Sequence, residues 1–168
     1  MPSRFSLILV AILTIIVASC DFDKQEKAMQ RSIEIAAIND SLAGQGKIWG
    51  DELLIAVNTL DFSNMKNARE ELVGYVNKKI AKLKAMKPIA GSEELQKAEL
   101  EFLEFELKMI DSHFVVFESF DENTSKEDME NAYLGILQYN EIEQEKLKHI
   151  YDLREDYAEL NGFPKPIE

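Results

Sequence analysis

Three ionisable residues recur at a spacing of seven in the middle of the chain: Glu99, Glu106 and His113. Residues seven apart lie on nearly the same face of an α-helix, because each residue turns the helix by about 100°. The same face carries Phe102 and Met109, so the three polar side chains should point towards the interior. Carboxylates and an imidazole inside a helical bundle could bind a metal ion or transfer protons.

The last helical stretch supplies possible partners for this face. A helical wheel places Asn140, Glu143 and Arg154 within its apolar side. If the third and fourth helices pair antiparallel about their loop, the numbers of facing residues add to about 245. Glu106 then lies opposite Asn140, with Glu143 one turn away. We therefore take Glu106, Asn140, Glu143 and His113 as the candidate ligand-binding residues.

A possible ion pair joins the second and third helical stretches. The same antiparallel arithmetic places Lys79 level with Glu99, and Lys79 falls on the apolar face of its own helix. The sequence therefore predicts a core ion pair between these two side chains.

A di-metal site of the ferritin-like kind is not expected. Such sites need a Glu-x-x-His motif on each of two helices, whereas Ile110 and Lys146 stand three residues before His113 and His149. The sequence also contains no nucleophile elbow and no phosphate-binding loop. We predict no metal, no cofactor beyond a covalent lipid, no catalytic residue and no enzyme activity. We favour a structural role for the inward polar groups. They either form one layer of mutually hydrogen-bonded side chains that fixes the helix register, or lie at the core edge with their charged ends extended into solvent.

Apolar residues recur at helical spacing in four stretches, and no stretch has the pattern of a strand. The first runs from about residue 26 to 60 and keeps its register through Gly44, Gly46 and Gly50, although each glycine costs about 1 kcal/mol. The expected boundaries of the other stretches are Ser63 as a cap and Pro88 as a stop, Ser92 as a cap, a capping box of Thr124 with Glu127, and a stop at Asn161-Gly162.

These stretches predict an all-α fold, an up-down-up-down four-helix bundle over residues 26–162. The tail from residue 163 to 168 is expected to be loose. The phenylalanines of the third stretch are expected to belong to the core rather than to a ligand pocket. They are Phe102, Phe105, Phe114, Phe117 and Phe120.

The N-terminus has the pattern of a targeting segment. After Arg4, the 13 residues from Phe5 to Val17 are apolar apart from Ser6 and Thr14. This run is shorter than the roughly 20 residues that span a bilayer as a helix, and it is typical of a signal-peptide core. It ends at Val17-Ala18-Ser19-Cys20.

That tetrad resembles the lipobox of bacterial lipoproteins. The resemblance implies that residues 1–19 are a cleaved signal peptide and that Cys20 carries a diacylglycerol thioether and, usually, an N-terminal acyl chain such as palmitate. Residues 20–25 would then be the lipidated tether. Two or three acyl chains, at about 0.8 kcal/mol per buried CH₂, would make the attachment to the membrane effectively permanent.

Composition excludes several classes. The 168 residues contain one cysteine, so a disulfide scaffold or a cysteine zinc site within one chain is impossible. The net charge is −12 and becomes −13 when the first 19 residues, with one Arg and no acid, are removed. Such acidity argues against nucleic acid as a partner.

The residues after Cys20 bear on location. Asp21 resembles the inner-membrane retention signal of enterobacterial lipoproteins, and the acidic residues after it resemble the surface-export signal of Bacteroidota lipoproteins. These two interpretations conflict, and we favour the outer membrane or the cell surface.

The mature region is similar to small all-helical surface lipoproteins of Bacteroidota and spirochaetes. The similarity lies in Asn39-Asp40-Ser41-Leu42 with Gln45 and Ile48, and in Asn161-Gly162-Phe163. It implies fold and location and transfers no catalytic residue.

The sequence thus predicts a lipid-anchored, non-catalytic binding or interaction module of the envelope, which holds an envelope protein or a small ligand and whose acidic exterior favours cationic partners. Two alternatives stay open. One is a metal- or proton-binding carboxylate site inside the bundle, and the other is a structural spacer.

Overall fold

The computed structural model of the chain describes the backbone of residues 4–166 and the side chains of residues 22–166. The side chains of the predicted signal peptide and of Cys20 lie outside the described residues. Over the described range the fold is all-α, without a strand. Its elements are α1 (Arg4–Thr59), α2 (Met65–Ala85), α3 (Glu93–His113), a 3-10 helix (Phe114–Ser119), α4 (Lys126–Leu137) and α5 (Asn140–Asn161).

Helix α1 is continuous, as the persistent register of its apolar residues predicts. Gly44, Gly46 and Gly50 all lie inside it. The sevenfold apolar row of α1 is buried throughout, from Ala28 through Ile35, Leu42 and Trp49 to Ala56. Within the residues whose side chains are described, no helix has a stretch long and apolar enough to cross a membrane.

The prediction that Ser63 caps α2 is wrong. Asn64 is the residue before α2, and the backbone N–H of Ser63 instead donates to Oδ1 of Asp61 at 3.0 Å. Ser92 does stand immediately before α3. Its Oγ accepts a hydrogen bond from the backbone N–H of Ile89 at 3.0 Å, so it stabilises the turn between α2 and α3.

The predicted fourth helix is two separate helices, and the predicted capping box of Thr124 with Glu127 is wrong. The side chain of Ser125 accepts from the backbone N–H of Asp128 at 3.1 Å. Thr124 is occupied by the preceding turn, where its Oγ1 accepts from the N–H of Asp121 at 2.9 Å. The first of the two helices ends at Leu137 and the second begins at Asn140. A helical wheel drawn through both as one helix therefore misplaces residues near the junction.

The main core lies between α1, α2, α3 and α5. Helix α1 packs against α2 and α5, and α3 packs against the same two helices. Helix α4 contains no buried residue and packs mainly against α3 and the 3-10 helix. The four core helices therefore decide which side chains meet in the interior.

An aromatic cluster closes the core at the end of α1. Trp49 stacks on Phe114 with ring centroids 3.8 Å apart and meets the edge of Phe117. Phe117 in turn contacts Phe120. Phe102, Phe114 and Phe117 are buried, whereas Phe105 and Phe120 are half-buried. The prediction that these phenylalanines belong to the core is confirmed for Phe102, Phe114 and Phe117, and Phe120 packs against the core. Phe105 lies outside the core cluster and contacts the ring of Tyr139.

The start of the C-terminal tail is packed, contrary to the expectation that residues 163–168 are loose. Phe163 is buried and meets the ring of Tyr157 edge-on at 5.8 Å. The carbonyl of Pro166 accepts a hydrogen bond from the Tyr151 hydroxyl. Residues 167–168 lie outside the described residues. Near the other terminus, Gln25, assigned above to the tether, is helical and donates to the carbonyl of Gly162.

Two glycine substitutions should have opposite effects on stability. Gly162 ends α5 with φ +71°, where an L side chain is strained, so Gly162→Ala should lower the free energy of unfolding by about 1 kcal/mol. Gly44 is helical with nothing within 4 Å of an added Cβ, so Gly44→Ala should raise it by up to about 1 kcal/mol. Urea unfolding of the two variants would measure both changes, and a stabilised Gly162→Ala would contradict the assigned cap.

Candidate ligand-binding site

A column of polar side chains runs through the core on the inner face of α3. Glu99 is fully buried and Glu106 is 6% exposed. His113, one further sevenfold step along, is half-buried. The prediction that this face points inward is confirmed.

Glu99 lies among polar groups from α1 and α5. Its Oε2 accepts a hydrogen bond from Nδ2 of Asn39 at 3.1 Å, and its buried Oε1 has no partner. Burial raises the pKa of this carboxyl to about 7, and the hydrogen bond from Asn39 and the charge of Arg154 limit the rise. Arg154 is held by Ser32, whose Oγ accepts from its Nε at 3.5 Å.

The predicted ion pair between Lys79 and Glu99 is wrong. Nζ of Lys79 lies over the ring of Tyr75, 4.9 Å from its centroid, and Glu99 faces Asn39 and Arg154. The ion pairs between α2 and α3 are instead Lys84 with Glu104 at 3.0 Å and Arg69 with Asp111 at 3.2 Å.

Glu106 lines a cavity of about 440 Å³ between α1, α3 and α5. Its Oε1 is buried and has no hydrogen-bond partner. Burial, with a smaller contribution from the nearby Glu143 carboxyl, raises the pKa of Glu106 to about 8. Burial also raises the pKa of Glu143. Such a cavity, apolar with a few converging polar groups, is the usual form of a small-molecule site.

The walls of this cavity combine carboxylates with apolar side chains. Helix α1 contributes Asn39, Asp40 and Gly46, and Glu143 comes from α5. The apolar part of the lining consists of Leu42, Ala43, Leu72, Met109, Ile110, Phe114 and Leu147.

Two of the four predicted site residues meet, and two lie elsewhere. Glu106 and Glu143 share the cavity. Asn140 is exposed at the first position of α5, and its Oδ1 accepts from Nε2 of Gln144 at 3.3 Å. The break after Leu137 is the reason, because a wheel drawn through one continuous helix misplaces the residue next to it.

His113 is likewise separate from the carboxylates. Its ring packs against Tyr139, with centroids 4.7 Å apart, and its Nδ1 lies 3.1 Å from where a Cβ on Gly135 would be. His113 therefore packs against α4 and the junction between α4 and α5. Among residues 22–166, no three His, Cys, Asp or Glu side chains come together as a possible metal site.

The residues that sequence reasoning missed are on α1, and a signal for them exists. Ser32, Asn39 and Gly46 are spaced by seven and lie four residues after the buried Ala28, Ile35 and Leu42. They form the second row of a heptad pattern in which small or polar residues replace apolar ones. This row meets the polar column: Ser32 contacts Arg154, Asn39 contacts Glu99, and Gly46 lines the cavity of Glu106.

A second, more apolar cavity of about 430 Å³ lies between the end of α1 and α4. Leu54, Val57, Phe117, Met129 and Tyr133 are among its lining residues. It exists because α4 packs on α3 and the 3-10 helix and leaves part of α1 uncovered.

Comparisons of the chain with known protein families, with curated proteins and with solved structures found no match.

Proposed function

We propose that this protein is a lipid-anchored, non-catalytic helical binding module of the bacterial envelope. The observation that carries the binding role is the cavity between α1, α3 and α5, which Glu106 lines with a buried carboxyl oxygen that has no partner among the described residues. A buried polar atom without a partner costs free energy of about 1–3 kcal/mol. A ligand that donates a hydrogen bond there would offset this cost.

Attachment to the envelope rests on the N-terminal sequence. The apolar run that ends at Val17-Ala18-Ser19-Cys20 supports lipidation of Cys20, and the acidic residues after it favour the outer membrane or the cell surface. In this proposal the lipid holds α1 at the membrane, and the cavity is presented further along the same helix.

The proposed topology of the helical body is an up-down-up-down bundle, in which α4 and α5 together form the fourth helical unit. Antiparallel packing is supported by contacts that pair the end of one helix with the start of the next, and the start of the first with the end of the second. Between α1 and α2 these contacts are Glu52 with Asn64 and Arg31 with Lys87. Between α2 and α3 they are Lys84 with Glu104 and Arg69 with Asp111. Gln25 with Gly162 and Ser32 with Arg154 do the same for α1 and α5.

A second candidate is a proton-exchanging carboxylate site. It is favoured by the raised pKa of both Glu106 and Glu143, which share one cavity. Groups with strongly shifted pKa values are common at functional sites, although structural networks also produce them. The third candidate is a structural spacer, a role in which the cavity would bind no ligand.

Filling the cavity tests the binding role. An added Cβ at Gly46 or at Gly44 meets no atom within 4 Å, but only Gly46 lines the cavity. Leucine at either position brings a similar gain in helix propensity, so Gly44→Leu is the matched control for Gly46→Leu.

We expect small molecules that bind the cavity to raise the unfolding midpoint of the wild type and of Gly44→Leu, and to lose most of this effect in Gly46→Leu. A thermal-shift screen of cationic, neutral and anionic compounds would measure it, with the full-length chain in a neutral detergent. If no compound distinguishes Gly46→Leu from Gly44→Leu, the binding role is wrong and the spacer is preferred.

A further inference from the structure

The cavity has a polarity that selects one class of ligand. We propose that it binds an organic cation, a primary ammonium group on an apolar body, and that binding releases a proton from Glu106. This inference rests on the proposed binding function and names the ligand class for the same site.

The polar groups of the cavity offer acceptors to such a cation. Oε1 of Glu106 and Oδ1 of Asn39 are both buried without a hydrogen-bond partner. Nδ2 of Asn39 donates one of its hydrogens to Glu99, so the amide is held in place with its oxygen still able to accept a hydrogen bond. Asp40 and Glu143 add two more carboxyl groups, and none of the described residues that line the cavity is a Lys, Arg or His. An ammonium group carries three donors and no acceptor, which matches this arrangement.

The apolar walls of the cavity indicate what kind of molecule would carry the ammonium group. Most of the lining side chains are apolar and come from α1, α2, α3 and α5. A volume of about 440 Å³ suits a small organic molecule. A divalent metal ion would instead need oxygen ligands on several sides, and an anion would meet no positively charged side chain among the described lining residues.

Proton release follows from the environment of Glu106. Asp40 faces the cavity from α1 and Glu143 from α5, whereas α2 contributes only Leu72. The nearby cation of α5, Lys146, lies over the ring of Phe105. Burial and Glu143 keep the pKa of Glu106 near 8, so its carboxyl is mostly protonated at pH 7.

An ammonium ion in the cavity reverses this preference. The positive charge stabilises the Glu106 carboxylate, so the carboxyl proton passes to solvent while the ligand keeps its own three protons. Charge is conserved, because one cation enters the cavity and one proton leaves it.

Isothermal titration calorimetry tests the inference with three probes of similar size. They are 2-phenylethylammonium, the neutral 2-phenylethanol and the anionic 3-phenylpropanoate, titrated at pH 7 into the full-length chain in a neutral detergent. Buffers with different ionisation enthalpies report the number of protons released. We expect 2-phenylethylammonium to bind at least tenfold more tightly than either analogue and to release close to one proton.

Three variants locate the effect. Gly46→Leu should abolish binding because it fills the cavity. Glu106→Gln should weaken binding of the ammonium probe at least tenfold and remove proton release. Glu101→Gln, on the exposed side of the same helix, should change neither.

The outcomes separate the two proposals. If 2-phenylethanol or 3-phenylpropanoate binds as tightly as the ammonium probe and is sensitive to Gly46→Leu, the cation inference is overturned and the binding function stands. Binding of Zn²⁺ or Ca²⁺ that requires Glu106, without binding of the ammonium probe, also overturns it. If no probe shows binding sensitive to Gly46→Leu, both proposals lose their support.

Discussion

Replacing Cys20 by alanine should abolish lipid attachment and leave residues 1–19 on the chain. The lipobox resemblance assigns the Cys20 sulfur as the point of attachment, and no other cysteine is present in the sequence. The effect should be all or none, because alanine has no group that can form the thioether. Intact-mass spectrometry and incorporation of labelled palmitate in a bacterial host would measure both changes.

Ser19→Ala is the matched control for this substitution. It keeps a small residue at the position before the cysteine, so processing and lipidation should proceed as in the wild type. The lipoprotein assignment would be wrong if wild type and Cys20→Ala had the same processed N-terminus, or if Cys20→Ala still incorporated palmitate.

Raising the pH should destabilise this protein, and Glu106→Gln should remove a large part of that effect. Folding raises the pKa of Glu106 from 4.5 to about 8, so the folded state binds more protons than the unfolded state between these values. The associated stability is complete below pH 4.5 and is lost as the pH rises towards 8. The loss is about 1.4 kcal/mol per pH unit over this range, an upper bound on the order of 5 kcal/mol.

Glutamine resembles the protonated carboxyl and cannot ionise. Glu106→Gln should therefore match the wild type near pH 4.5 and exceed its stability by several kcal/mol at pH 8.5. Glu99, with a pKa raised to about 7, should leave a weaker pH dependence in the variant. Urea unfolding of residues 21–168 across this pH range would measure the difference.

Glu101→Gln provides the control, because Glu101 is exposed and, within the described part of the chain, forms one ion pair, with Lys97 at 3.7 Å. Such surface pairs contribute about 0–1 kcal/mol, so this variant should follow the wild type at every pH. Parallel stability curves for Glu106→Gln and the wild type would show that Glu106 ionises in the folded protein as easily as in water.

The lipoprotein assignment remains a prediction from sequence, because the side chains of residues 4–21 lie outside the described structure. Within the described range, the sequence predicted helical content and the buried face of each long helix well. Apolar rows at sevenfold spacing placed Ile35 and Trp49 in the core, and the same spacing placed Glu99 and Glu106 inside. Local periodicity decides these features, since a helix fixes the angle between its own residues.

Only the tertiary structure decided which side chains meet. Glu106 shares its cavity with Glu143 and not with Asn140, and Glu99 contacts Asn39 and not Lys79. These pairings depend on the rotation and axial offset of one helix against another, and packing across the whole core sets both. The break between α4 and α5 and the 3-10 segment after α3 change that register further, and neither has a signal in helical periodicity alone.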